Sequence, residues 1–555
     1  MDTRKRLGVA FLWHMHQPFY KDPLSGKYLM PWVRLHATKD YLPMALLVEK
    51  HDVRVTFNLV PSLVEQISDY ADNGATDIFL DLSAKKASEL TPEEKADILK
   101  NFFRVNFKRF IEPSARYSEL LLKKGLKPLS ITAFKNVIKS FSVRDFLDLQ
   151  VLFNLSWFHS LIIDEDRNLK AIAEKGSSFT EEDKEYILAK ANEAMRRIIP
   201  LYKKLQDAGR IEITTTPYFH PILPLLCDTS VAKVSLPGIA LPKKRFSHPE
   251  DAEWHIEEAI RYHAFRFGSS PRGMWPSEGS VSEKALDIMI SKGIEWVATD
   301  EEILFNSLSL YDRKYKGAAG FDRRVIYRPY NFKRDSRRIT MVFRDKNLSD
   351  MISFRYNSWR QEDAAWDLIG HLNRVAENLR RDTDRALLTI VMDGENAWEY
   401  YEDNGRSFFE TLYSNLDRQE DIFSTTVSDY LSLETPKRTL TSVFPGSWIN
   451  RNFNIWIGEE QDNLSWDYLS RVRGDLVKFT RQFNKKAPRG VDASAVKEAW
   501  RELYIAEGSD WNWWYEGKAR SGGDNPFDKL YLTHLKNVYK LLKKPVPGYL
   551  KISIA

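Results

Sequence analysis

Short, nearly continuous apolar runs recur along the chain, each separated from the next by stretches with helical spacing. They cover residues 7–13, 53–59, 210–215, 273–275, 294–298, 340–343 and 387–392. Because these runs do not alternate apolar with polar, they predict strands buried on both faces. The helices between them predict parallel pairing, hence an α/β barrel or a doubly wound sheet. Just after the runs stand His14 and His16, Asn58, Thr216 to Tyr218, Glu278, Asp300, Asp345 and Asp393. Polar residues at the carboxyl ends of many strands favour the barrel, where those ends converge on one mouth; a doubly wound sheet gathers them at one crevice.

Between the second and third runs, residues 62–208 read as helices, and so predict an inserted helical subdomain. Thr91-Pro-Glu-Glu94 sets a cap, a proline at the first helical position and a glutamate three residues after the cap. Thr180-Glu-Glu-Asp183 opens a long helix closed by Gly209. A further helix runs from His248 to Phe267 and ends at Gly268. From about Ser428 onward the strand signals stop, and 466–483, 493–506 and 525–542 read as helices. The expected organisation is a barrel over 1–427, with its insertion, and a C-terminal helical domain over 428–555.

Composition narrows the class. A chain of 555 residues is too long for one simple core, and 43% hydrophobic with 29% charged residues is ordinary for a soluble globular protein. The net charge of +5 is small, with scattered basic residues, so nucleic-acid binding is not indicated. No apolar stretch is long enough to span a membrane, and the first run stops at His14 without a cleavage site, reading as a strand rather than a signal peptide. The single cysteine, Cys227, excludes an intramolecular disulfide and a thiolate metal cluster. It reads as a buried inert thiol in a reducing, cytoplasmic setting.

The chemistry gathers in three constellations. Glu278 and Asp393 each end an apolar run and begin a small-residue turn; across one barrel mouth, two carboxylates can divide glycosidic work between nucleophile and acid/base. Alternatively, either is an ordinary ion-pair partner in the rim. His14 and His16, at i and i+2 on an extended segment, point to one side and can hydrogen-bond substrate hydroxyls or ligate a metal, with Asp300 or Asp345 as the third ligand. No second His-rich motif accompanies them, so hydrogen bonding is the favoured reading and no metal or cofactor is expected. The aromatic content is 13%, with sixteen tryptophans. Trp275, Trp398, Trp448 and Trp456, interleaved with Asn450 to Asn454, have the composition of a sugar cleft, although most tryptophans are core. Trp511 to Tyr515 reads as a packing element between domains.

Five motifs carry a resemblance. His14-Met-His-Gln-Pro18, Ile213-Thr-Thr-Thr-Pro-Tyr-Phe-His-Pro221, Trp275-Pro-Ser-Glu278, Met392-Asp-Gly-Glu-Asn396 and the stretch from Trp448 to Gly458 resemble, in order, the motifs of glycoside hydrolase family 57. The resemblance extends through Glu507-Gly-Ser-Asp-Trp-Asn-Trp-Trp514 and so covers nearly the whole chain. It implies an incomplete (β/α)7 TIM-like barrel followed by a C-terminal helical domain that completes the cleft. It also implies a retaining enzyme on α-glucans without a cofactor, with Glu278 as nucleophile and Asp393 as acid/base. The substrate-binding set expected from motifs and strand ends is His14, His16, Gln17, Asn58, His220, Trp275, Asp300, Asp345, Trp398, Trp448 and Trp456. Motif four is similar to that of amylopullulanase and α-amylase members, but Ala397-Trp398 stands where amylopullulanases carry Pro-Val, leaving α-1,4 against α-1,6 preference open. Some members are transferases, 4-α-glucanotransferases or branching enzymes. Outside the family stand a metal-dependent mannosidase or deacetylase and a non-catalytic glycan-binding protein.

Overall fold

The computed structural model describes residues 5–126, 130–312, 314–315, 322–380, 382, 384–515 and 525–555. Seven parallel strands make the barrel: β1 (Leu7–Met15), β2 (Val55–Leu59), β3 (Ile211–Thr214), β4 (Gly273–Met274), β5 (Trp296–Asp300), β6 (Arg337–Arg344) and β7 (Ala386–Asp393). Each predicted run contributes one of them. Their order is β3-β2-β1-β7-β6-β5-β4. Between β3 and β4 the wall closes through the isolated bridge Thr215↔Met274 and the Trp275 N–H donating to Thr215 O at 3.1 Å. The barrel is therefore nearly closed, with its thinnest seam beside the strand that leads to Glu278.

All nine residues of β1 are buried, as the unbroken apolar run requires of a strand covered on both faces. Its register matters most. His14 pairs with Asp393 on one side and with Asn58 on the other, so strand pairing alone sets three of the predicted residues abreast at the mouth.

Among the described residues, helices fill the excursion between β2 and β3, as expected. Thr91 and Thr180 both form capping boxes, the second opening α1 (Glu181–Asp207). Helix α2 (Pro249–Phe267) ends at Gly268 in the left-handed conformation. Beyond the barrel lie α3 (Glu460–Lys485), α4 (Ala493–Ala506) and α5 (Pro526–Leu541).

Among the described residues, five short strands escaped the sequence pattern: the separate antiparallel pair Lys21–Asp22 and Lys27–Tyr28; Tyr330–Arg334, antiparallel to β6; Ile422–Ser424, beside the start of β1; and Arg438–Leu440. The last corrects the expectation that strand structure stops at Ser428. It extends the sheet beside Tyr330–Arg334, and at three residues with a burial pattern of one buried position it carries too little periodicity to be read.

The C-terminal helices dock onto the catalytic face through specific contacts. Arg473 on α3 forms a two-pronged ion pair with Asp251 of α2, and His255 of α2 meets Glu507 at 3.0 Å. A Cβ on Gly508 would lie 2.7 Å from Phe219 O; its absence lets the chain approach closely enough for the Ser509 N–H to reach His220 O at 3.0 Å. That contact delivers Ser509, Asp510 and Trp513 to the mouth. Cys227 is buried, and burial pushes its thiol up to about 12, consistent with an inert side chain. No helix among the described residues is long and apolar enough to cross a membrane.

Candidate active site

The β4 exit turns sharply. Glu278 sits in the left-handed region at φ 58°, ψ 25°, a conformation that costs a side-chain-bearing residue about 1–2 kcal/mol. Gly279 follows at φ 59°, where a Cβ would stand 2.7 Å from the Trp275 ring. The turn is thus wrapped on the indole of Trp275, which is fully buried. It is held from outside by the 446–448 segment: Val281 bridges Gly446, and the Trp448 N–H donates to Glu278 O at 3.0 Å. Motifs three and five meet here.

The Glu278 carboxylate accepts from Trp448 Nε1 at 2.7 Å, and the nearby Trp513 indole favours its charged form. Trp448 packs edge-on to Trp275 (5.2 Å, 70°) and lies beneath the Arg344 guanidinium at 5.3 Å. Burial first, and the charge of Asp393 second, push Glu278 up to about 8; the two indole donors oppose that shift.

Asp393 ends β7 and accepts from Asn396 Nδ2 at 2.9 Å. Burial raises its pKa, against the pull of Asn396, His16 and Arg344. The turn behind it is held by the Gly394 N–H donating to His14 O at 2.7 Å and by Trp398 Nε1 donating to Gly394 O at 2.8 Å. Burial thus pushes both carboxylates towards the protonated form, Glu278 up to about 8.

The histidines form a relay whose tautomers follow from their partners. Asn58 Oδ1 accepts from the Thr216 hydroxyl at 2.8 Å, so it also accepts from His14 Nδ1 at 2.6 Å. His14 Nε2 is then the acceptor for His220 Nε2–H at 3.2 Å, and His220 Nδ1 accepts from Ser509 Oγ at 2.9 Å. Both rings are neutral: burial lowers His14 to about 3 and His220 well below the usual range. Their nitrogens are all committed within the protein. His16 differs. Its Nε2 meets Asp510 Oδ1 at 2.7 Å, while its Nδ1 is buried without a partner.

His16, His220 and Asp510 form a trio whose donor atoms lie within 4.8 Å of one another, among the described residues. The two rings are stacked at 3.8 Å and 15°, so their in-plane lone pairs run side by side and do not converge on one ion. The trio fits hydrogen bonding and stacking better than metal ligation.

The other predicted residues divide. Gln17 is spent within the protein, donating towards Glu395 at 3.4 Å and accepting from the Tyr20 hydroxyl at 2.9 Å. Asp300 is fully buried; it caps the helix Glu301–Tyr311 and pairs with Arg344 at 3.3 Å, steadying the cation over Trp448. Four expectations of direct sugar contact are corrected. Asp345 caps the helix Lys346–Asp350 and binds the Tyr327 hydroxyl (2.9 Å) and Arg323 (3.3 Å), a separate cluster. Trp398 is 1% exposed among Trp13, Phe409 and Tyr401, and Trp456 is 0% exposed against Trp513. Trp275, also buried, is the support of the Glu278 turn. Neither ring face of these tryptophans is open to a sugar.

Sequence reasoning missed Trp513, Asp510, Arg344 and Glu395. Trp513 belongs to the stretch read as packing; Trp511 does pack, at 1% exposed, while Trp513 turns to Glu278. Glu395, 2% exposed, accepts from the His16 N–H (3.0 Å) and the Tyr41 hydroxyl (3.3 Å), and burial with the charge of Asp393 raises it well above the carboxylate range. The Glu within Asp-Gly-Glu-Asn was a visible signal. A cavity of about 600 Å³ lined by Tyr218, Trp254 and Arg501 lies elsewhere and includes neither carboxylate.

A nearly closed parallel barrel with two partly exposed carboxylates at the strand ends is an architecture suited to chemistry on glycosidic bonds. Residues 10–443 match the sequence model of glycosyl hydrolase family 57, and the chain belongs to that family. Among solved structures, it is similar to a family 57 branching enzyme from Thermococcus kodakaraensis (15% identity, 96% of this chain and 90% of that one, TM-score 0.60). It is also similar to the α-amylase AmyC from Thermotoga maritima (14% identity, 97% and 93%, TM-score 0.59). A third is the 4-α-glucanotransferase from Thermococcus litoralis (14% identity, 97% and 60%, TM-score 0.51). At these identities the likeness is one of fold. A search of curated proteins by sequence gave no match.

Proposed function

We propose that this enzyme cleaves α-glucosidic bonds of α-glucans with retention of configuration, with Glu278 as nucleophile and Asp393 as acid/base. The observation that carries the reading is electrostatic: burial raises both carboxylates and the charge of Asp393 raises Glu278 further, to about 8, so a proton stays in the site at neutral pH while the Trp448 indole N–H donates to Glu278. Asp393 gives that proton to the leaving glycosidic oxygen as a Glu278 oxygen bonds to the anomeric carbon. A glycosyl ester on Glu278 results. Asp393 then takes a proton from the incoming acceptor, whose oxygen displaces Glu278.

In the empty cleft, burial favours the proton on Glu278. Bound substrate reverses this. The leaving oxygen accepts a hydrogen bond from Asp393, and positive charge growing on the sugar favours the Glu278 carboxylate, already solvated by Trp448 and Trp513. His16, with a spare buried Nδ1, and the partly exposed rings of Trp448 and Trp513 are the groups we assign to sugar binding; the His14–His220 relay holds that wall in place.

We take 1–427 as the catalytic barrel and 428–555 as the helical domain that completes the cleft, in a reducing cytoplasmic setting that suits the buried Cys227. A second reading is favoured by one observation: solved relatives of the same fold include a branching enzyme and a glucanotransferase, in which a sugar hydroxyl replaces water as acceptor. Incubation with maltooligosaccharides, followed by product analysis, separates the two. Glu278→Gln is expected to lower turnover at least about a thousandfold while leaving substrate affinity within a few-fold. Full activity in that variant would refute the assignment.

A further inference from the structure

A buried ion pair is a costly way to fill a barrel wall, since apolar packing of similar volume serves stability as well or better. Arg344, the last residue of β6, is such a group, with a side chain only 6% exposed. Three neighbouring segments hold it. Its Nε donates to Val391 O of β7 at 2.8 Å, its Nη1 to Asp300 Oδ2 at the end of β5 at 3.3 Å, and its Nη2 to Asp350 Oδ1 at 2.5 Å. The guanidinium is therefore anchored at every nitrogen.

What the anchored cation faces is Trp448. It lies over the indole at 5.3 Å from the ring centre, within reach of cation–π attraction. Trp275 meets the same ring edge-on at 5.2 Å and 70°. Trp448 needs such support because it is partly exposed at the mouth, and the bond from its backbone N–H to Glu278 O fixes the main chain but not the side-chain torsions. In another rotamer the indole Nε1 would leave the Glu278 carboxylate, which it reaches at 2.7 Å.

We propose that Arg344 is a positioning residue for the nucleophile: by clamping the Trp448 ring, it aims the indole N–H at Glu278. The proposal rests on the function proposed above, in which Glu278 attacks. A guanidinium suits this task and an ammonium does not, because only the planar fork serves Val391, Asp300 and Asp350 together while sitting over the indole. The charge of Arg344 also reaches Asp393 and favours its ionised form. Lysine in its place keeps the charge and loses the fork, which isolates positioning from electrostatics.

The test is a double-mutant cycle in the full chain, with kcat and KM for maltooligosaccharides measured in the parent, Arg344→Lys, Trp448→Phe and the double variant. In the parent, Arg344→Lys is expected to lower kcat about tenfold with KM within about threefold. Where Trp448→Phe has already removed the N–H, the same change should lower kcat no more than about twofold. Equal losses in both backgrounds overturn the proposal and make Arg344 a brace of the barrel wall alone. A raised KM with unchanged kcat overturns it as well, marking Arg344 as a sugar ligand. Should Arg344→Lys fail to fold, Asp350→Asn loosens the same fork from a side chain that is 39% exposed. It is expected to lower kcat about threefold in the parent and not at all beside Trp448→Phe, and equal losses again refute the role. Glu278→Gln separates the two readings. If that variant is inactive, an additive cycle rejects the positioning role alone; if it is fully active, the proposed function fails and the positioning role with it.

Discussion

Trp448 grips Glu278 at both ends: its indole N–H donates to the carboxylate at 2.7 Å and its backbone N–H to the carbonyl oxygen at 3.0 Å. The backbone bond holds a left-handed turn and the indole bond stabilises the anion. Trp448→Phe separates the two, keeping the ring against Trp275 and deleting one donor. A hydrogen bond to a charged group is worth about 1.5–3 kcal/mol, so kcat is expected to drop about ten- to a hundredfold with an unchanged melting temperature. Losing an anion stabiliser also raises Glu278 further, so the alkaline limb of the pH profile should move up. A downward shift would contradict the role given to the indole.

In the proposed mechanism the pair needs one proton to act. Below its alkaline pKa that proton is present; above it, neither carboxyl can protonate the leaving oxygen. With Glu278 pushed up to about 8, kcat/KM should fall about tenfold per unit at higher pH. Asp393→Asn removes the acid and the repulsion together. Its defect should be large for an alkyl or sugar leaving group and small for an activated aryl glycoside, as steady-state kinetics on both will reveal.

Gly394 owes its identity to Met15. A Cβ there would stand 2.2 Å from the Met15 sulfur, and the same residue donates its N–H to His14 O. Gly394→Ala should therefore push the Asp393 turn away from β1, costing about 1–3 kcal/mol of stability and more of activity than of stability. Met15→Ala in the same chain makes room. Partial recovery of both melting temperature and kcat in the double variant is the expected result; additive losses would show that Met15 is not the obstacle.

What the sequence made legible follows from where the information is local. The seven barrel strands were readable because each is a buried run of its own, and the capping boxes at Thr91 and Thr180 because their geometry lies within four residues. Glu278 and Asp393 were readable because each ends such a run. The strand Arg438–Leu440 was not, since its order comes from pairing with Tyr330–Arg334, far away in sequence. Tryptophans divided for the same reason. Trp398 and Trp513 stand in equally aromatic stretches, yet the first is sealed beneath Gly394 and the second faces Glu278, and only the docking of Ser509 on His220 decides the latter. Asp345 misled because a polar residue after a strand can serve a helix N-terminus as readily as a substrate.

The docking of the C-terminal helices carries its own pH dependence. Glu507 is 3% exposed, faces His255 at 3.0 Å, and lies among Asp251 and Arg473; burial pushes it up to about 8, while Asp251 and Arg473 oppose the shift. A carboxyl whose folded pKa exceeds its unfolded value binds more protons in the folded state than in the unfolded one between those two values. Stability is then unaffected at low pH, where both states are protonated, and declines as pH rises from the ordinary carboxylate range towards 8. Glu507→Gln copies the protonated form and cannot lose a proton. The melting temperature of the variant relative to the parent should therefore climb steadily between about pH 5 and pH 8 and level off above it. Parallel melting curves across that range would mean that Glu507 is ionised in the folded enzyme and balanced by Arg473 of α3.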